Sequence, residues 1–286
     1  MDTALAVDIG GTKLAAGLVT DDGKVLDSAT APSKADSAEA LFEVLAALVE
    51  PFGGATVCGV GCGGPMSAGG ETVSPLNIAV WREFPLKARL AEATGLTTFV
   101  DNDAKALALC EGWKGAAAGV SNFIAMVVST GVGGGIVLDG RLLDGGSGNA
   151  GHIGHLCVEP EGRVCACGAR GCLEAEASGT SIAAITGRPA AEAGPETIER
   201  TGRLVGRAVA SVANLLDLGL AVVAGSVALG YGEPFFAAAQ AELDAQARLS
   251  FSEGARILPG GLGAAGPLVG AAAVGWRGIG YGVGVR

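Results

Sequence analysis

The stretch LAVDIGGTKLAAGLV, residues 5–19, indicates the fold class, because it reads as two apolar strands joined by a glycine turn. A second stretch, FIAMVVSTGVGGGIVLDG at residues 123–140, has the same order of strand, short polar residue, glycine turn with threonine, and strand. Asp8 and Thr12 of the first copy correspond to Ser129 and Thr130 of the second. Because the copies begin each half of the chain, they predict two related halves.

Strands and helices alternate along the rest of the chain, which predicts an α/β protein. Further strands are expected at VLDSA (25–29), ATVCGVG (55–61), TTFVDND (97–103) and LAVVAGSVA (220–228). Apolar spacing predicts helices at 37–49, 86–94, 104–115, 175–186, 196–216, 234–247 and 268–276.

Composition narrows the class of function. The length of 286 residues suits two domains, and the net charge of −10 argues against nucleic-acid and anionic-membrane partners, which leaves small molecules. No signal-peptide or membrane-span pattern is found, so a cytoplasmic location is expected. In that reducing compartment, seven cysteines are expected to be thiols or metal ligands.

The two glycine turns offer backbone N–H groups and hydroxyls that can surround a phosphate. Either turn alone is explained by hairpin closure, but the pair favours a nucleoside triphosphate, with Asp8 for magnesium and Thr12 and Thr130 for phosphate oxygens. A P-loop is rejected, because Thr12 precedes Lys13 and a strand follows. A dinucleotide fold, suggested by GVGCGG at 59–64, is the weaker alternative, because no helix pattern opens after it.

Asp101, Asn102 and Asp103 are expected where a strand ends and a helix begins. Carboxylates at such a place commonly only cap the helix. They also lie at the sheet edge where ligands of open α/β sheets bind, so one aspartate could deprotonate an attacking hydroxyl while Asn102 orients its neighbour. The residues alone do not choose between Asp101 and Asp103.

Four residues have the spacing of a closed metal site: His155, Cys165, Cys167 and Cys172. Three thiolates and one imidazole suit a structural zinc ion, with Gly168 and Gly171 allowing a tight fold around it. A redox dithiol is the alternative, and the single residue between Cys165 and Cys167 disfavours it. The other four cysteines are predicted to be buried, Cys157 in a strand and the rest in the core: Cys58, Cys62, Cys110 and Cys157.

Taken together, these motifs resemble the ROK family of bacterial sugar kinases and repressors over nearly the whole chain. The matching pieces are DIGGTK, GVGCGG, NIAVW, DNDAKALALCEG, STGVGGG, GHIGH, CACGARGCLE and VVAGS. The resemblance implies an actin-like ATPase (ribonuclease H-like) fold with two α/β domains, an interdomain cleft and a zinc-binding insert at 151–174. The domains would span 1–110, joined by a C-terminal helix at 266–286, and 111–265.

The resemblance also assigns roles to residues. Asp103 would be the general base toward the sugar 6-hydroxyl. The implied sugar contacts are Gly64, Asn77, Asn102, Asp103, His152, His155 and Glu174, and the implied zinc ligands are His155, Cys165, Cys167 and Cys172. The implied nucleotide contacts are Asp8, Gly10, Gly11, Thr12, Lys13, Thr130, Gly131 and Gly225.

The sequence departs from the family pattern at three places. His152 replaces a glutamate that grips the sugar near its anomeric end, Gly63 replaces a proline, and Lys105 replaces an asparagine. An imidazole is neutral or cationic where the glutamate is anionic, so recognition of the usual sugar hydroxyls is expected to change.

The predicted function is an ATP- and Mg²⁺-dependent kinase for the 6-hydroxyl of glucose or a related hexose, with structural Zn²⁺. The alternatives are a kinase for an amino sugar or a sugar-like cyclitol, and a non-catalytic sugar sensor. A repressor is disfavoured, since the chain starts at the first strand and is acidic. The resemblance further implies a homodimer or homotetramer, and some relatives accept polyphosphate as donor.

Overall fold

Two compact units make up the protein in the computed structural model, which describes residues 1–286. Unit 1 contains Met1–Gly119, Leu142–Ala150 and Leu262–Arg286, and unit 2 contains Val120–Arg141 and Gly151–Gly261. Each unit therefore draws on separated parts of the chain.

The strands are β1 (Thr3–Ile9), β2 (Lys13–Thr20), β3 (Val25–Pro32), β4 (Val57–Cys62), β5 (Thr98–Asn102), β6 (Phe123–Val128), β7 (Val132–Leu138), β8 (Arg141–Leu142), β9 (Leu220–Ala224) and β10 (Arg256–Pro259). The α-helices are α1 (Ala38–Val49), α2 (Leu86–Thr94), α3 (Asp103–Lys114), α4 (Leu173–Ala177), α5 (Gly179–Thr186), α6 (Pro195–Leu216), α7 (Ser226–Tyr231), α8 (Glu233–Gln246) and α9 (Gly266–Gly278).

Both sheets have the same topology, which confirms the internal repeat. The first sheet has the order β3-β2-β1-β4-β5, and the second has the order β8-β7-β6-β9-β10. In each, the first long hairpin is antiparallel, and its leading strand pairs in parallel with a later strand, β1 with β4 and β6 with β9. The fold is the actin-like ATPase fold expected from the sequence.

The register of the first sheet brings the polar strand ends into one row. Asp8 of β1 is opposite Gly61 of β4, which is opposite Asp101 of β5. The carboxyl ends of parallel strands share one edge of a sheet, and this edge is the usual ligand site of α/β folds. The sheet therefore positions Asp8 near the start of α3.

Helix α9 covers one face of the same strands. It packs against α3, β1 and β4. The approach to β4 is so close that a Cβ atom at Gly59 would lie 2.0 Å from the carbonyl oxygen of Ala271. Only glycine fits there, so the small residues of β4 and α9 explain how the helix reaches the sheet.

Three secondary-structure predictions were wrong in detail. The helix expected over 175–186 is two helices separated at Ser178, whose hydroxyl accepts a hydrogen bond from the Ser181 N–H at 3.1 Å and so caps α5. The strand expected over 220–228 ends at Ala224, because the positive φ of Gly225 redirects the chain into α7. The strand expected over 97–103 ends at Asn102, because Asp103 already belongs to α3. Strands β8 and β10 and helix α7 were not predicted.

No helix of the structure has both the length and the apolar character that crossing a bilayer requires.

Candidate active site

The first glycine turn lies between β1 and β2 of unit 1. The Gly10 N–H donates to the Lys13 carbonyl at 3.0 Å and closes the turn. Asn77 lies directly against it, since a Cβ atom placed on Gly11 would be 2.7 Å from the Asn77 Cβ. The structure therefore brings Asn77, predicted from the NIAVW segment, to the first glycine turn.

Asp8 is a carboxyl group in an unusual environment next to this turn. Burial raises the pKa of Asp8 to about 7, the negative charge of Asp103 adds to the effect, and the ammonium of Lys13 opposes it. The Asp8 Oδ1 is 3.8 Å, and the Asp103 Cα 3.7 Å, from where a Cβ atom on Gly61 would be. Asp8 and Asp103 thus both approach Gly61, and a divalent cation bound between their carboxylates would offset the repulsion.

Asp103 is the first residue of α3, at the strand-to-helix junction that the sequence predicted. The side chain of Asn102 caps this helix by accepting a hydrogen bond from the Ala104 N–H at 3.0 Å, and Asn102 is 8% exposed. Asp103 itself is partly exposed, so its carboxylate can reach a ligand. The cap fixes both side chains at the sheet edge, and the structural role and the proposed chemical role of Asn102 coexist.

Asp101 has a different partner from Asp103. Its carboxylate lies 3.0 Å from the Lys105 Nζ, and Lys105 is 2% exposed. Burial raises the pKa of Asp101, and the Lys105 ammonium opposes this rise without cancelling it. An aspartate held in a buried ion pair is a poor choice for a base, which favours Asp103 for that role.

Gly64 precedes a cis peptide bond to Pro65 in unit 1. Its carbonyl oxygen accepts a hydrogen bond from the Leu76 N–H at 3.2 Å, and that of Pro65 accepts one from the Ser74 N–H at 2.8 Å. The segment after β4 is therefore held by backbone bonds to the chain that leads to Asn77.

The second glycine turn, between β6 and β7 of unit 2, is held from several sides. The Ser129 N–H donates to the Gly131 carbonyl at 2.9 Å. The Thr130 carbonyl accepts from the Thr180 hydroxyl at 3.0 Å, and the hydroxyls of Ser129 and Ser226 are hydrogen-bonded at 2.9 Å. The start of α5 and the start of α7 thus both brace the turn that contains Thr130 and Gly131.

Gly225, the residue expected on the nucleoside side, lies next to the same turn. Its φ is 101°, and a Cβ atom would be 2.4 Å from the Val128 carbonyl oxygen. Both the positive φ and the close approach require glycine. The structure thus places Gly225 against Val128, the last residue of β6, between β9 and α7 of unit 2.

Glu174 connects the cysteine segment to the second glycine turn. Its Oε2 accepts a hydrogen bond from the Val132 N–H at 2.9 Å. The helix that contains it, α4, is anchored by Glu176, which is 2% exposed, pairs with Arg200 at 2.5 Å and accepts from the Arg163 N–H at 2.6 Å. This pair of a buried glutamate and a partly exposed arginine was not predicted, because nothing in the spacing of Glu176 and Arg200 marks them as partners.

The four predicted metal ligands come together in unit 2. The ligand atoms of His155, Cys165, Cys167 and Cys172 all lie within 4.8 Å of one another. The Cys167 and Cys172 sulfurs are 3.7 Å apart, close to the ~3.8 Å expected for two thiolates on one tetrahedral zinc ion. The residues present therefore fit Zn²⁺.

The thiols of this cluster differ in acidity. The Ala169 N–H lowers the pKa of Cys167. Burial and the neighbouring thiols raise the pKa of Cys172 to about 12. A metal ion would have to displace the Cys172 proton, so binding at this cluster releases protons.

Cys157 is exposed, which corrects the prediction of a buried thiol. The run HLCVE forms no regular strand, and Cys157 makes only an isolated bridge with Cys172. Cys58, Cys62 and Cys110 are buried as predicted. Gly168 and Gly171 both have positive φ, which confirms their expected role in the tight loop.

His152 lies beside the metal cluster. Its ring is stacked on that of His155, with centroids 6.1 Å apart and an interplanar angle of 25°. The structure thus groups His152, His155 and Glu174 within unit 2, while Asp8, Asn77, Asn102 and Asp103 belong to unit 1.

Comparison with known proteins gives a consistent family. The model described as "ROK family" matches residues 4–276. N-acetylmannosamine kinases are 40% identical in Escherichia fergusonii and 41% identical in Citrobacter koseri, each over 248 residues, 80% of this chain and 85% of the relative.

Solved structures show the same fold over nearly the whole chain. A ROK family glucokinase from Streptomyces griseus, in complex with glucose and AMPPNP, has a TM-score of 0.86 at 29% identity and covers 96% of this chain and 99% of its own. A ROK hexokinase from Thermus thermophilus has a TM-score of 0.82 at 33% identity, with coverage of 97% and 99%.

Proposed function

The chain belongs to the ROK family, and from that premise we propose that it is an ATP-dependent kinase for the 6-hydroxyl of N-acetylmannosamine. The observation that supports this substrate is the sequence identity of about 40% to N-acetylmannosamine kinases over four-fifths of the chain. The kinase reading is further supported by the pair of glycine turns and by the strand-end carboxylates.

Asp103 is the proposed general base. It follows the capping residue Asn102 and precedes a helix whose first turn is fixed by that cap. A carboxylate in this position can accept the proton of the attacking hydroxyl as the phosphoryl group moves. Asp101 is not proposed, since its carboxylate is paired with buried Lys105.

The nucleotide is proposed to be held by the two turns, through Gly10, Gly11, Thr12 and Lys13 in unit 1 and through Thr130, Gly131 and Gly225 in unit 2. Mg²⁺ would be held near Asp8, whose pKa is raised by burial and by the charge of Asp103, so a cation beside it would stabilise the carboxylate. The metal would neutralise phosphate charge during transfer.

Zn²⁺ is proposed at His155, Cys165, Cys167 and Cys172, where it would serve as a structural cross-link. With no open ligand position in a four-residue set, it would supply no catalytic water. Its effect on the sugar would come through His155 and through Glu174, the second residue of the helix that follows Cys172.

His152 is the proposed determinant of the N-acetyl preference. A glutamate at this place can only accept hydrogen bonds, whereas a neutral imidazole can also donate one. An N-acetyl group adds a carbonyl acceptor to the sugar, and an imidazole can donate to it. Gly64, Asn77, Asn102, His155 and Glu174 complete the proposed sugar contacts.

A substrate panel tests this function. ADP release would be measured with N-acetylmannosamine, N-acetylglucosamine, mannose and glucose, with ATP or polyphosphate as donor. We expect the highest kcat/KM for N-acetylmannosamine with ATP, and a shift toward sugars without the acetyl group in His152→Glu. A preference for glucose, the sugar bound in the Streptomyces griseus glucokinase, would overturn the assignment of N-acetylmannosamine as substrate. No phosphorylation of any sugar would overturn the kinase.

A further inference from the structure

A short segment of the chain, Leu142–Ala150, belongs to unit 1 although the residues on both sides of it belong to unit 2. We refer to it as the strap. The Leu142 N–H donates to the Arg286 carbonyl at 2.8 Å, and the Ala150 N–H closes the loop on the Asp144 carbonyl at 3.0 Å. The strap is thus a closed loop fixed at its beginning to the C-terminus.

Lys105 fastens the strap to helix α3. Its Nζ lies 2.6 Å from the Asp144 Oδ1 and donates to the Gly148 carbonyl at 3.3 Å, in addition to its pair with Asp101. Because Lys105 is almost completely buried, these acceptors compensate a charge that water does not reach. Lys105 lies two residues after Asp103, so the strap is tied to the helical turn that positions the proposed base.

Asn149 fastens the strap to the segment after β4. Its Oδ1 accepts a hydrogen bond from the Met66 N–H at 3.3 Å, and its Nδ2 donates to the Met66 carbonyl at 3.1 Å. Both backbone groups of Met66 are therefore bound by one side chain. Met66 is buried and follows Gly64 and Pro65, so its placement fixes the backbone that contains a proposed sugar contact.

We propose that the strap is a positioning device for the acceptor sugar, with Lys105, Asp144 and Asn149 as its positioning residues. They act through Asp103 and Gly64 and do not touch the phosphoryl group. The inference rests on the proposed kinase function. Its physical basis is that one loop holds Asp103 and the protein backbone around Gly64 at a fixed separation. Small displacements of reacting groups lower the reaction rate steeply.

Asp144→Ala and Asn149→Ala test the strap. Asp144→Ala keeps the Lys105–Asp101 pair, so no buried charge loses its last partner. Glu71→Ala is the matched control, since the Lys87–Glu71 pair has the same length of 2.6 Å but is exposed and lies outside the strap. We expect kcat/KM for the sugar to fall about tenfold in each strap variant, with the KM for ATP little changed. The control should match wild type.

Two further measurements separate positioning from general stability. In the double variant, the loss should be smaller than the product of the single losses, because both residues act through one loop. Hydrogen exchange without ligands should be faster at the Met66 amide in Asn149→Ala than in Glu71→Ala.

The outcomes are distinct. Equal changes in the KM values for sugar and ATP, or unchanged sugar kinetics, would overturn the positioning role. Unchanged exchange at Met66 would overturn the strap itself. Absence of sugar phosphorylation by the wild-type protein would overturn the proposed function, and with it the sugar role, whatever the exchange result.

Discussion

The Glu174 carboxylate accepts a hydrogen bond from the backbone N–H of Val132 at 2.9 Å. Glu174 comes two residues after the metal-ligand candidate Cys172, and Val132 begins β7 directly after the turn formed by Thr130 and Gly131. One side chain therefore joins the cysteine cluster to the second glycine turn within unit 2.

Loss of the metal is expected to weaken nucleotide binding. Chelation, or Cys165→Ser, should lower the unfolding temperature and raise the KM for ATP, because α4 and Glu174 lose their anchor at Cys172. Elemental analysis should find about one Zn²⁺ per chain in wild type and much less in Cys165→Ser. Cys157→Ser is the control and should retain the metal. Equal zinc content in wild type and Cys165→Ser would contradict the assigned site.

Asp103→Asn should reduce kcat by roughly 10²- to 10⁴-fold, since it removes the proposed base and leaves a side chain of the same size. Sugar affinity, measured by calorimetry, should change far less than kcat. ADP release in a coupled assay checks the rate. Wild-type kcat in this variant would exclude Asp103 as the base.

Asp8→Asn should stabilise the magnesium-free protein, increasingly so as pH rises. The pKa of Asp8 is about 7 in the folded protein, raised by burial and by Asp103, but about 4 in an unfolded chain. The folded state therefore holds this proton more tightly, and the associated stability is complete below about pH 4 and lost as pH rises through 7. The difference corresponds to on the order of 4 kcal/mol.

Thermal unfolding at about pH 5.5 and pH 8.5, with a chelator present, measures this effect. The advantage of Asp8→Asn over wild type should be larger at the higher pH. Asp36→Asn, an exposed carboxyl outside the site, should show no such trend. A constant difference between Asp8→Asn and wild type would mean that Asp8 is not the titrating group.

Gly225→Ala should destabilise unit 2 by about 1–3 kcal/mol and raise the KM for ATP. The new methyl group would meet the Val128 carbonyl oxygen, and the φ of 101° disfavours any side chain. Gly219→Ala, just before β9, is the matched control, because no atom lies within 4 Å of its Cβ position. Denaturant unfolding and ATP kinetics of both variants test the prediction; equal behaviour of the two would refute it.

Local chemistry made much of this structure predictable. The two strand-turn-strand stretches produced the two hairpins, and the spacing of His155, Cys165, Cys167 and Cys172 produced a compact cluster. In each case the partners lie close in sequence or share one turn, so residue type and spacing carry the geometry.

The strap and the buried pairs were not predictable in the same way. The partners Lys105 and Asp144 are 39 residues apart, and Asn149 and Met66 are 83 apart. Only the tertiary fold brings such residues together. The i,i+4 relation of Asp101 and Lys105 was visible in the sequence, but it gave no sign of the third residue that completes the network.

The composition of unit 1 has a consequence for biosynthesis. Its sheet is encoded at the start of the chain, yet α9, which covers β1 and β4, is among the last segments to leave the ribosome. Until then, α9 is missing from the face of β1 and β4 that it covers, whereas unit 2 has all its residues once Gly261 is made. The unit whose sheet is synthesised first is therefore the unit whose residues are completed last, and apolar surface that α9 later covers is exposed to aggregation in the interval.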